Sequence, residues 1–216
     1  MQEDSAIEAR RDYLASELHR DMLVDDPVVQ FGRWLSAAQD AKLIDTTAMI
    51  LATTDNDGGV HARIVLLKQF DASGFCWFTS RHSDKGRQLA AKPRAALLFH
   101  WRELERQVRI EGPVSHMPDD EADAYFQSRP EGSRFSAAAS AQSQVVDSRK
   151  TLEARVAELR ASHPDGKVPR PPHWGGYRLA PERFEFWQGR ADRLHDRFVY
   201  RRSAETDDWI IERLQP

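Results

Sequence analysis

Apolar residues at helical spacing follow a capped start near the beginning of the chain. Asp26 is an N-cap acceptor, and Pro27 takes the first helical position. The apolar positions after it have the spacing of one helix face: Phe31, Trp34, Leu35 and Ala38. We therefore predict a helix that ends near Ala41. The polar residues 5–20 before it predict either a surface helix or a mobile arm.

From Thr47 onward the apolar pattern changes from helical spacing to strand-like runs. These runs cover residues 47–54, 60–70, 75–80, 95–101 and 105–116. Clusters of Gly and Asp separate the first three, which is typical of hairpin turns, so we predict an antiparallel sheet. Ser83 is placed to cap a short helix over about 84–91, which Pro93 ends.

The middle of the chain predicts two helices and one irregular loop. The first helix covers 119–128 and ends near Arg129, and the second covers 147–162. The apolar face of the second helix consists of Leu152, Val156 and Leu159. Between the helices, 136–144 is small and polar, and the proline-rich 163–176 predicts a loop. Later strands are predicted over 177–181, 182–188, 196–202 and 208–214.

Strands before and after the central helices predict one α+β domain, mainly β, built around an antiparallel barrel. Residues 1–25 would form an N-terminal arm or lid. Residues 26–216 would form the single domain, with its helices at the periphery.

Charge and cysteine content narrow the function classes. The 216 residues include 31 Lys and Arg against 34 Asp and Glu, a net charge of −3, which argues against a nucleic-acid partner. The single cysteine, Cys76, excludes an internal disulfide and a multi-cysteine zinc site, and the eight histidines lack metal-binding spacing. The sequence shows neither a signal peptide nor an apolar run near the ~20 residues that span a bilayer. We therefore expect a cytoplasmic protein without a metal site or a membrane partner.

Basic and polar side chains at the ends of apolar runs suggest anion binding. Arg63 and Lys68 bracket four apolar residues, and each either reaches solvent or meets a phosphate or carboxylate. Tyr125 and Arg129 share one helix face, and Ser133 follows the next turn. These three side chains predict either a phosphate clamp or an ordinary exposed helix face.

A second basic group lies late in the chain. Arg193, His195 and Arg197 have a period of two, so they share one face if a strand begins at Arg193. They indicate either an anionic or electron-rich ligand or a basic edge strand that opposes aggregation.

Six blocks of the sequence resemble the pyridoxamine 5′-phosphate oxidase family in order and spacing. They are RIVLLK (63–68), WFTS-x3-DK (77–85), ERQVRIEG (105–112), YFQSRPEGS (125–133), AQS (141–143) and FWQG-x3-RLHDRF (186–198). The resemblance implies an FMN-binding split antiparallel β-barrel of Greek-key type. It also implies a homodimer with FMN at the subunit interface.

The family's reaction is the oxidation of pyridoxine 5′-phosphate or pyridoxamine 5′-phosphate by O2 to pyridoxal 5′-phosphate. Hydride passes to the flavin, and hydrogen peroxide is released, with ammonia from the amine. The implied FMN contacts are Arg63, Ile64, Val65, Leu66, Leu67, Lys68, Phe78, Thr79, Lys85, Gln107, Gln142, Ser143, Trp187 and Arg197.

The resemblance also assigns the substrate contacts. The implied substrate-phosphate contacts are Lys68, Tyr125, Arg129 and Ser133. Arg193 and His195 match the catalytic residues that face the substrate ring over the flavin, and Arg10 and Tyr13 match an arm that closes over the site.

One position departs from the family pattern. Where the family commonly has Ser-Arg-Lys, this chain has Ser83-Asp84-Lys85, so a carboxylate replaces a cation near the expected FMN phosphate. Arg81 or Arg87 could supply the missing charge, and we expect FMN to bind, but less tightly. Two alternatives remain: a related flavin oxidase of the phenazine-pathway type, and a flavin- or pyridoxal-phosphate-binding protein without turnover.

Overall fold

The computed structural model describes residues 12–206 and 208–216. Residues 1–11 of the predicted arm, Arg10 among them, lie outside the described residues. The division into an arm over 1–25 and a domain over 26–216 therefore stays a prediction.

The described residues form an antiparallel, mainly β fold with five α-helices. The helices are α1 (Pro27–Asp40), α2 (Asp84–Ala91), α3 (Asp119–Ser128), α4 (Glu131–Ala139) and α5 (Arg149–Ser162). The strands are β1 (Ala48–Thr54), β2 (Val60–Leu66), β3 (Gln69–Asp71), β4 (Gly74–Ser80), β5 (Arg94–Trp101), β6 (Arg106–His116), β7 (Trp174–Leu179), β8 (Arg183–Gln188), β9 (Asp196–Arg202) and β10 (Trp209–Leu214). None of these helices has the length and apolar character that crossing a bilayer requires.

The caps that the sequence predicts are confirmed. The Asp26 side chain accepts the backbone N–H groups of Val28 and Val29 at the start of α1. The Ser83 hydroxyl accepts the N–H of Gly86 at the start of α2. Each cap satisfies backbone donors that have no partner within the helix, which explains where both helices begin.

Three segments add to or correct the sequence analysis. The prediction of one strand over 60–70 is wrong: the strand breaks after Leu66, because Lys68 N–H donates to the Cys76 carbonyl and begins the separate hairpin of β3 and β4. The polar stretch that begins at Ser136, for which no element was predicted, is partly helical, since α4 runs to Ala139 with Phe135 as its buried anchor. Of the two alternatives for residues 5–20, a surface helix or a mobile arm, the helix is absent from the described residues 12–19, and a short 3₁₀ turn follows at Arg20–Met22.

The chain divides into two compact units. The terminal unit comprises Met1–Ile50, Leu97–Glu111 and Glu182–Pro216, and the central unit comprises Leu51–Ala96 and Gly112–Pro181.

In the terminal unit, β8 pairs with β9 and with residues 106–111 of β6, and β9 pairs with β10, all antiparallel. The predicted apolar face of α1 is buried in this unit. The ring of Phe31 lies 4.8 Å from that of Phe99, and Trp34 lies edge-on to Phe186 at 5.2 Å.

In the central unit, β4 pairs antiparallel with β3 and β7. Helices α3, α4 and α5 pack on a hydrophobic cluster of Phe126, Phe135, Val168 and Trp174. Val156 and Leu159 of α5 pack against this cluster, so two of the three predicted apolar positions of that helix face the core.

Candidate functional site

A cavity of about 700 Å³ in the central unit collects most of the residues that the sequence analysis selected. Four cationic side chains contribute to its lining: Arg63, Lys68, Lys85 and Arg129. Other predicted residues in the lining are Ile64, Val65, Leu66, Phe78, Thr79, Tyr125, Ser133 and Gln142. The described lining contains no carboxylate, so the cavity suits an anionic ligand.

Arg63, on β2, is held by neutral acceptors. Its Nη1 donates to the Leu51 carbonyl at 2.8 Å and to Thr53 Oγ1 at 2.6 Å, and its Nη2 donates to Gln88 Oε1 at 3.1 Å. These bonds fix the guanidinium without neutralising its charge. Burial lowers the pKa of Arg63, and the charge of Asp84 opposes that shift.

Lys85, in the first turn of α2, is the second buried cation of the cavity. Its Nζ lies 3.5 Å from Thr79 Oγ1, and the Thr79 hydroxyl donates to Gln142 Oε1 at 2.8 Å. Burial lowers the pKa of Lys85, and the charge of Arg63 lowers it further. A bound anion would relieve both effects, because it favours the protonated ammonium.

The α3–α4 region supplies a second cationic group to the same cavity. Tyr125 of α3 stacks on Phe78 with 4.0 Å between ring centroids, and Arg129 lies over the Trp174 ring at 4.9 Å. Ser133 follows on α4. The Nη1 of Arg129 is buried and has no hydrogen-bond partner among the described residues. A buried guanidinium donor without an acceptor fits a phosphate oxygen.

Asp84 does not cancel the positive charge of the cavity. Its carboxylate pairs with Arg87 and is more than half exposed. Neither of the two cations that the sequence offered in place of the missing charge belongs to the described lining: Arg87 pairs with Asp84, and Arg81 pairs with Asp119 at 2.9 Å. Asp84 N–H donates to Ser143 Oγ at 3.2 Å. Ser143 and the buried Leu67 are outside the described lining.

A separate aromatic cluster lies in the terminal unit. Tyr13 is edge-on to Trp187 at 5.6 Å and to His195 at 5.4 Å, and the Trp187 and His195 rings lie 4.6 Å apart. A Cβ at Gly189 would lie 2.7 Å from the Tyr13 ring, so glycine allows the described part of the predicted arm to approach.

His195 is held as a neutral ring. Its Nδ1 accepts the backbone N–H of Arg190 at 3.2 Å, so the tautomer inferred from this bond carries its proton on Nε2. Burial lowers the pKa of His195, and the charges of Arg193 and Arg197 lower it further. At neutral pH the ring is therefore a hydrogen-bond donor through Nε2.

The shared strand face predicted for Arg193, His195 and Arg197 is wrong. Strand β9 begins only at Asp196, and Arg193 ends a 3₁₀ turn with φ of 60°. Asp192 and Arg193 both adopt left-handed backbone conformations, which interrupt a strand.

Arg197 belongs to an ion-pair network that the sequence did not reveal. Its Nη2 lies 2.7 Å from the carboxylate of Glu185, which is only 3% exposed, and its Nη1 donates to the Gln215 carbonyl at 2.8 Å. Arg109 and Arg183 also reach Glu185, at 3.0 and 3.4 Å. The register of β6, β8 and β9 creates this group, because it sets Arg109 opposite Glu185.

The remaining predicted contacts belong to the terminal unit and not to the described lining of the cavity. They are Tyr13, Gln107, Trp187, Arg193, His195 and Arg197. Sequence reasoning also missed Thr53 and Gln88, which orient Arg63. The available signal was a polar residue at an inward position of an otherwise apolar strand: Thr53 is buried in the alternating pattern of β1.

Two segments of the chain match known protein families. Residues 35–163 match the family described as pyridoxamine 5′-phosphate oxidase. Residues 174–216 match the pyridoxine 5′-phosphate oxidase C-terminal dimerisation region.

Two relatives are called pyridoxine/pyridoxamine 5′-phosphate oxidase. The one from Paraburkholderia phytofirmans is 52% identical and aligns over 98% of this chain and 99% of its own. The one from Cupriavidus necator is 55% identical over 96% of this chain and 97% of its own.

A solved structure, PhzG from Burkholderia lata in complex with tetrahydrophenazine-1-carboxylic acid, is 34% identical. Its TM-score is 0.86 over 92% of this chain and 98% of that chain. A pyridoxamine 5′-phosphate oxidase-related, FMN-binding protein from Nostoc punctiforme, 19% identical, shares the fold over 87% of this chain and 96% of that chain, with a TM-score of 0.69. The split-barrel fold expected from the sequence is thereby confirmed. With both segments matched and relatives aligned over nearly the whole chain, this protein belongs to the pyridoxamine 5′-phosphate oxidase family.

Proposed function

We propose that this protein is an FMN-dependent oxidase of pyridoxine 5′-phosphate and pyridoxamine 5′-phosphate. It forms pyridoxal 5′-phosphate with O2 as the electron acceptor and releases hydrogen peroxide, and ammonia from the amine. The observation that carries this proposal is the cavity with four cationic side chains and no described carboxylate. Two phosphorylated ligands require two cationic groups. The cavity contains one pair, Arg63 on β2 and Lys85 on α2, and a second pair, Lys68 after β2 and Arg129 directly after α3.

The cofactor is FMN. Arg63 and Lys85 would hold its phosphate, since both are partly or wholly buried and neither is neutralised by a carboxylate in the described lining. Thr79 and Gln142 supply neutral hydrogen-bonding groups beside them. When bound, FMN supplies the redox chemistry by accepting a hydride from the substrate and being reoxidised by O2. The protein supplies binding, orientation and charge.

Lys68, Tyr125, Arg129 and Ser133 would bind the substrate phosphate. Arg129 contributes most directly, because its buried Nη1 lacks any acceptor in the described part of the chain. The ring of Trp174 supports the guanidinium from one face, which keeps its donors directed.

His195 would orient the substrate and would not act as a general base. Its Nδ1 is occupied by the Arg190 N–H, and Nε2 carries the proton of the neutral ring. Arg193 would hold the substrate ring by charge, and Tyr13 would belong to the arm that covers the site. The protein would act as a homodimer, which the matched dimerisation region supports.

A second candidate is a flavin oxidase that acts on a phenazine precursor. The 34% identity to the PhzG structure with bound tetrahydrophenazine-1-carboxylic acid favours it. That ligand carries a carboxylate and no phosphate group. A guanidinium binds either anion, so the cationic group around Arg129 does not separate the two candidates, and turnover does.

The test is aerobic turnover by purified protein with added FMN. We expect many molecules of pyridoxal 5′-phosphate and hydrogen peroxide per flavin from either 5′-phosphate, and little product from unphosphorylated pyridoxine. Arg129→Met should raise the KM of both substrates roughly 10- to 100-fold, the range for losing a hydrogen bond to a charged group.

The other outcomes separate the candidates. Oxidation of the tetrahydrophenazine acid with no pyridoxal 5′-phosphate would replace the proposal by the second candidate. Bound flavin and one bound pyridoxal 5′-phosphate per chain, without turnover, would indicate a binding protein.

A further inference from the structure

The turn between α3 and α4 carries the side chains proposed to bind the substrate phosphate. Helix α3 ends at Ser128 and α4 begins at Glu131, so Arg129 and Pro130 alone connect them. Ser133 lies in the first turn of α4. The direction of Arg129 and Ser133 therefore depends on the shape of a two-residue connection.

Arg134 hydrogen-bonds to the backbone around this connection. Its Nη1 donates to the carbonyls of Gln127 at 2.8 Å and Arg129 at 3.0 Å, and its Nη2 donates to the carbonyl of Gly166 at 3.0 Å. Carbonyls at the C-terminal end of a helix receive no N–H donor from within the helix and carry partial negative charge. A guanidinium is suited to them, because its planar donors can reach several carbonyls at once.

The third of these bonds reaches the loop that precedes Trp174. Gly166 adopts a φ of 72°, and Gln127 Nε2 donates to the Val168 carbonyl at 3.3 Å in the same loop. That loop continues to Trp174, the ring over which Arg129 lies. Arg134 thus binds both the backbone of Arg129 and the loop that leads to the ring supporting its side chain.

Arg134 is also chemically distinct from its arginine neighbours. Arg160 pairs with Glu131, and Arg170 pairs with Asp123. The described ion pairs include none for Arg134, whose bonds all go to backbone carbonyls. Its guanidinium is therefore committed to the backbone, one residue from Ser133.

We propose that Arg134 is a positioning residue that holds the α3–α4 turn in the geometry that directs Arg129 and Ser133 at the substrate phosphate. It would not contact the substrate itself. This inference rests on the proposed function, and it adds a determinant of affinity for phosphorylated ligands outside the residues that line the cavity.

The test compares Arg134→Met with Arg160→Met. The control removes a guanidinium from α5 that also packs on α4, where it lies 5.1 Å over the Phe135 ring, but that makes no bond to the α3–α4 turn. For Arg134→Met we expect the KM of both 5′-phosphates to rise about tenfold or more, because small displacements of a binding group carry large penalties. We expect kcat and the dissociation constant of FMN to stay within about twofold.

Two further readouts separate positioning from general stability. The inhibition constant of inorganic phosphate should rise by the same factor as KM. In Arg134→Ala, added guanidinium ion below denaturing concentrations should lower the raised KM part of the way towards that of the unsubstituted protein. Arg134→Lys should keep a raised KM, because one ammonium cannot bridge three carbonyls. Arg160→Met should leave KM unchanged.

Equal KM effects in Arg134→Met and Arg160→Met, or a lower unfolding midpoint with unchanged KM, would overturn the proposal. If the unsubstituted protein turns over neither 5′-phosphate, the proposed function fails. Calorimetric titration of the FMN-loaded proteins with inorganic phosphate then decides the role of Arg134: weaker binding by Arg134→Met alone supports it, and equal binding refutes it.

Discussion

Two arginine-rich regions of this protein treat positive charge in opposite ways. In the central unit, the guanidinium of Arg63 is held by a carbonyl, a hydroxyl and an amide, and the described cavity lining contains no carboxylate. In the terminal unit, Arg109, Arg183 and Arg197 converge on the buried carboxylate of Glu185.

The difference shows that the acceptor of an arginine decides whether its charge stays available to a ligand. Neutral acceptors fix a guanidinium and leave its charge available to a ligand, at the cost of concentrating like charges in the free protein. A carboxylate fixes it equally well but uses the charge within the structure. The first region is built to bind an anion, and the second is built to hold three strands in register.

The sharpest test of this comparison is Glu185→Gln. It removes the carboxylate shared by three half-buried arginines, two of which, Arg109 and Arg183, also pair with Glu111. We expect it to destabilise the protein by about 1.5–3 kcal/mol, the range for losing a hydrogen bond to a charged group. Denaturant unfolding measures the change. Glu205→Gln, at an exposed position, is the control, and its free energy of unfolding should lie within about 0.5 kcal/mol of that of the unsubstituted protein. A similarly small effect at Glu185 would show that the network contributes little to stability.

In the cavity, the expected effect is on ligand binding and depends on pH. Burial and Arg63 lower the pKa of Lys85, so its ammonium loses its proton at a lower pH than the ordinary value of about 10.4. Phosphate binding needs the protonated form, so the FMN dissociation constant should rise as pH increases into the alkaline range. Flavin fluorescence quenching measures it.

Lys85→Arg supplies the control for that pH dependence. Arginine stays charged throughout the range, so the alkaline rise in the FMN dissociation constant should disappear. Lys85→Met should weaken FMN binding roughly 10- to 100-fold, the range for a lost charged hydrogen bond. An identical alkaline rise in Lys85→Arg and the unsubstituted protein would assign it to another group.

The smallest expected effect concerns Asp84, whose charge acts on both Arg63 and Lys85. It is exposed and paired with Arg87, so its repulsion of a phosphate is worth about 1 kcal/mol at most. Asp84→Arg should therefore tighten FMN binding by about fivefold or less, and the gain should shrink with added salt. Arg87→Met should act in the opposite direction, because it frees the Asp84 charge. Unchanged or weaker FMN binding in Asp84→Arg would contradict this prediction.

Local signals determined much of the secondary structure. The Asp26 and Ser83 caps lie where short-range rules place them, because a cap depends only on residues within one turn. Helix α4 escaped prediction because its small residues carry no strong apolar period. Its helical state depends on burying Phe135 in the cluster with Phe126 and Trp174.

The candidate site also divides into features that the sequence indicated and features that only the structure shows. The spacing of Tyr125 and Arg129 predicted one shared helix face, which is wrong, because α3 ends at Ser128 and Arg129 follows it with extended backbone. The two side chains nevertheless both line the cavity. The resemblance supplied roles for residues that spacing alone left open. Neither could show that the Arg129 Nη1 has no hydrogen-bond partner in the described part of the chain, or that Arg197 pairs with Glu185.

The strand face predicted for Arg193, His195 and Arg197 is wrong because two residues with left-handed backbone, Asp192 and Arg193, precede β9. Neither residue is a glycine, so nothing in the sequence indicated this conformation.

By itself, the sequence determined most of the strands and helices, the caps, the family and the set of cationic residues available for phosphates, but not helix α4 or the break between β2 and β3. The features that it determined depend on residues that are close together in the chain or on sequence motifs that can be recognised without the structure. Only the tertiary structure decided which cations stay unpaired. Pairing depends on strand register and on contacts between residues far apart in the chain, such as Arg109 with Glu185 and Arg134 with Gly166, which no local pattern specifies.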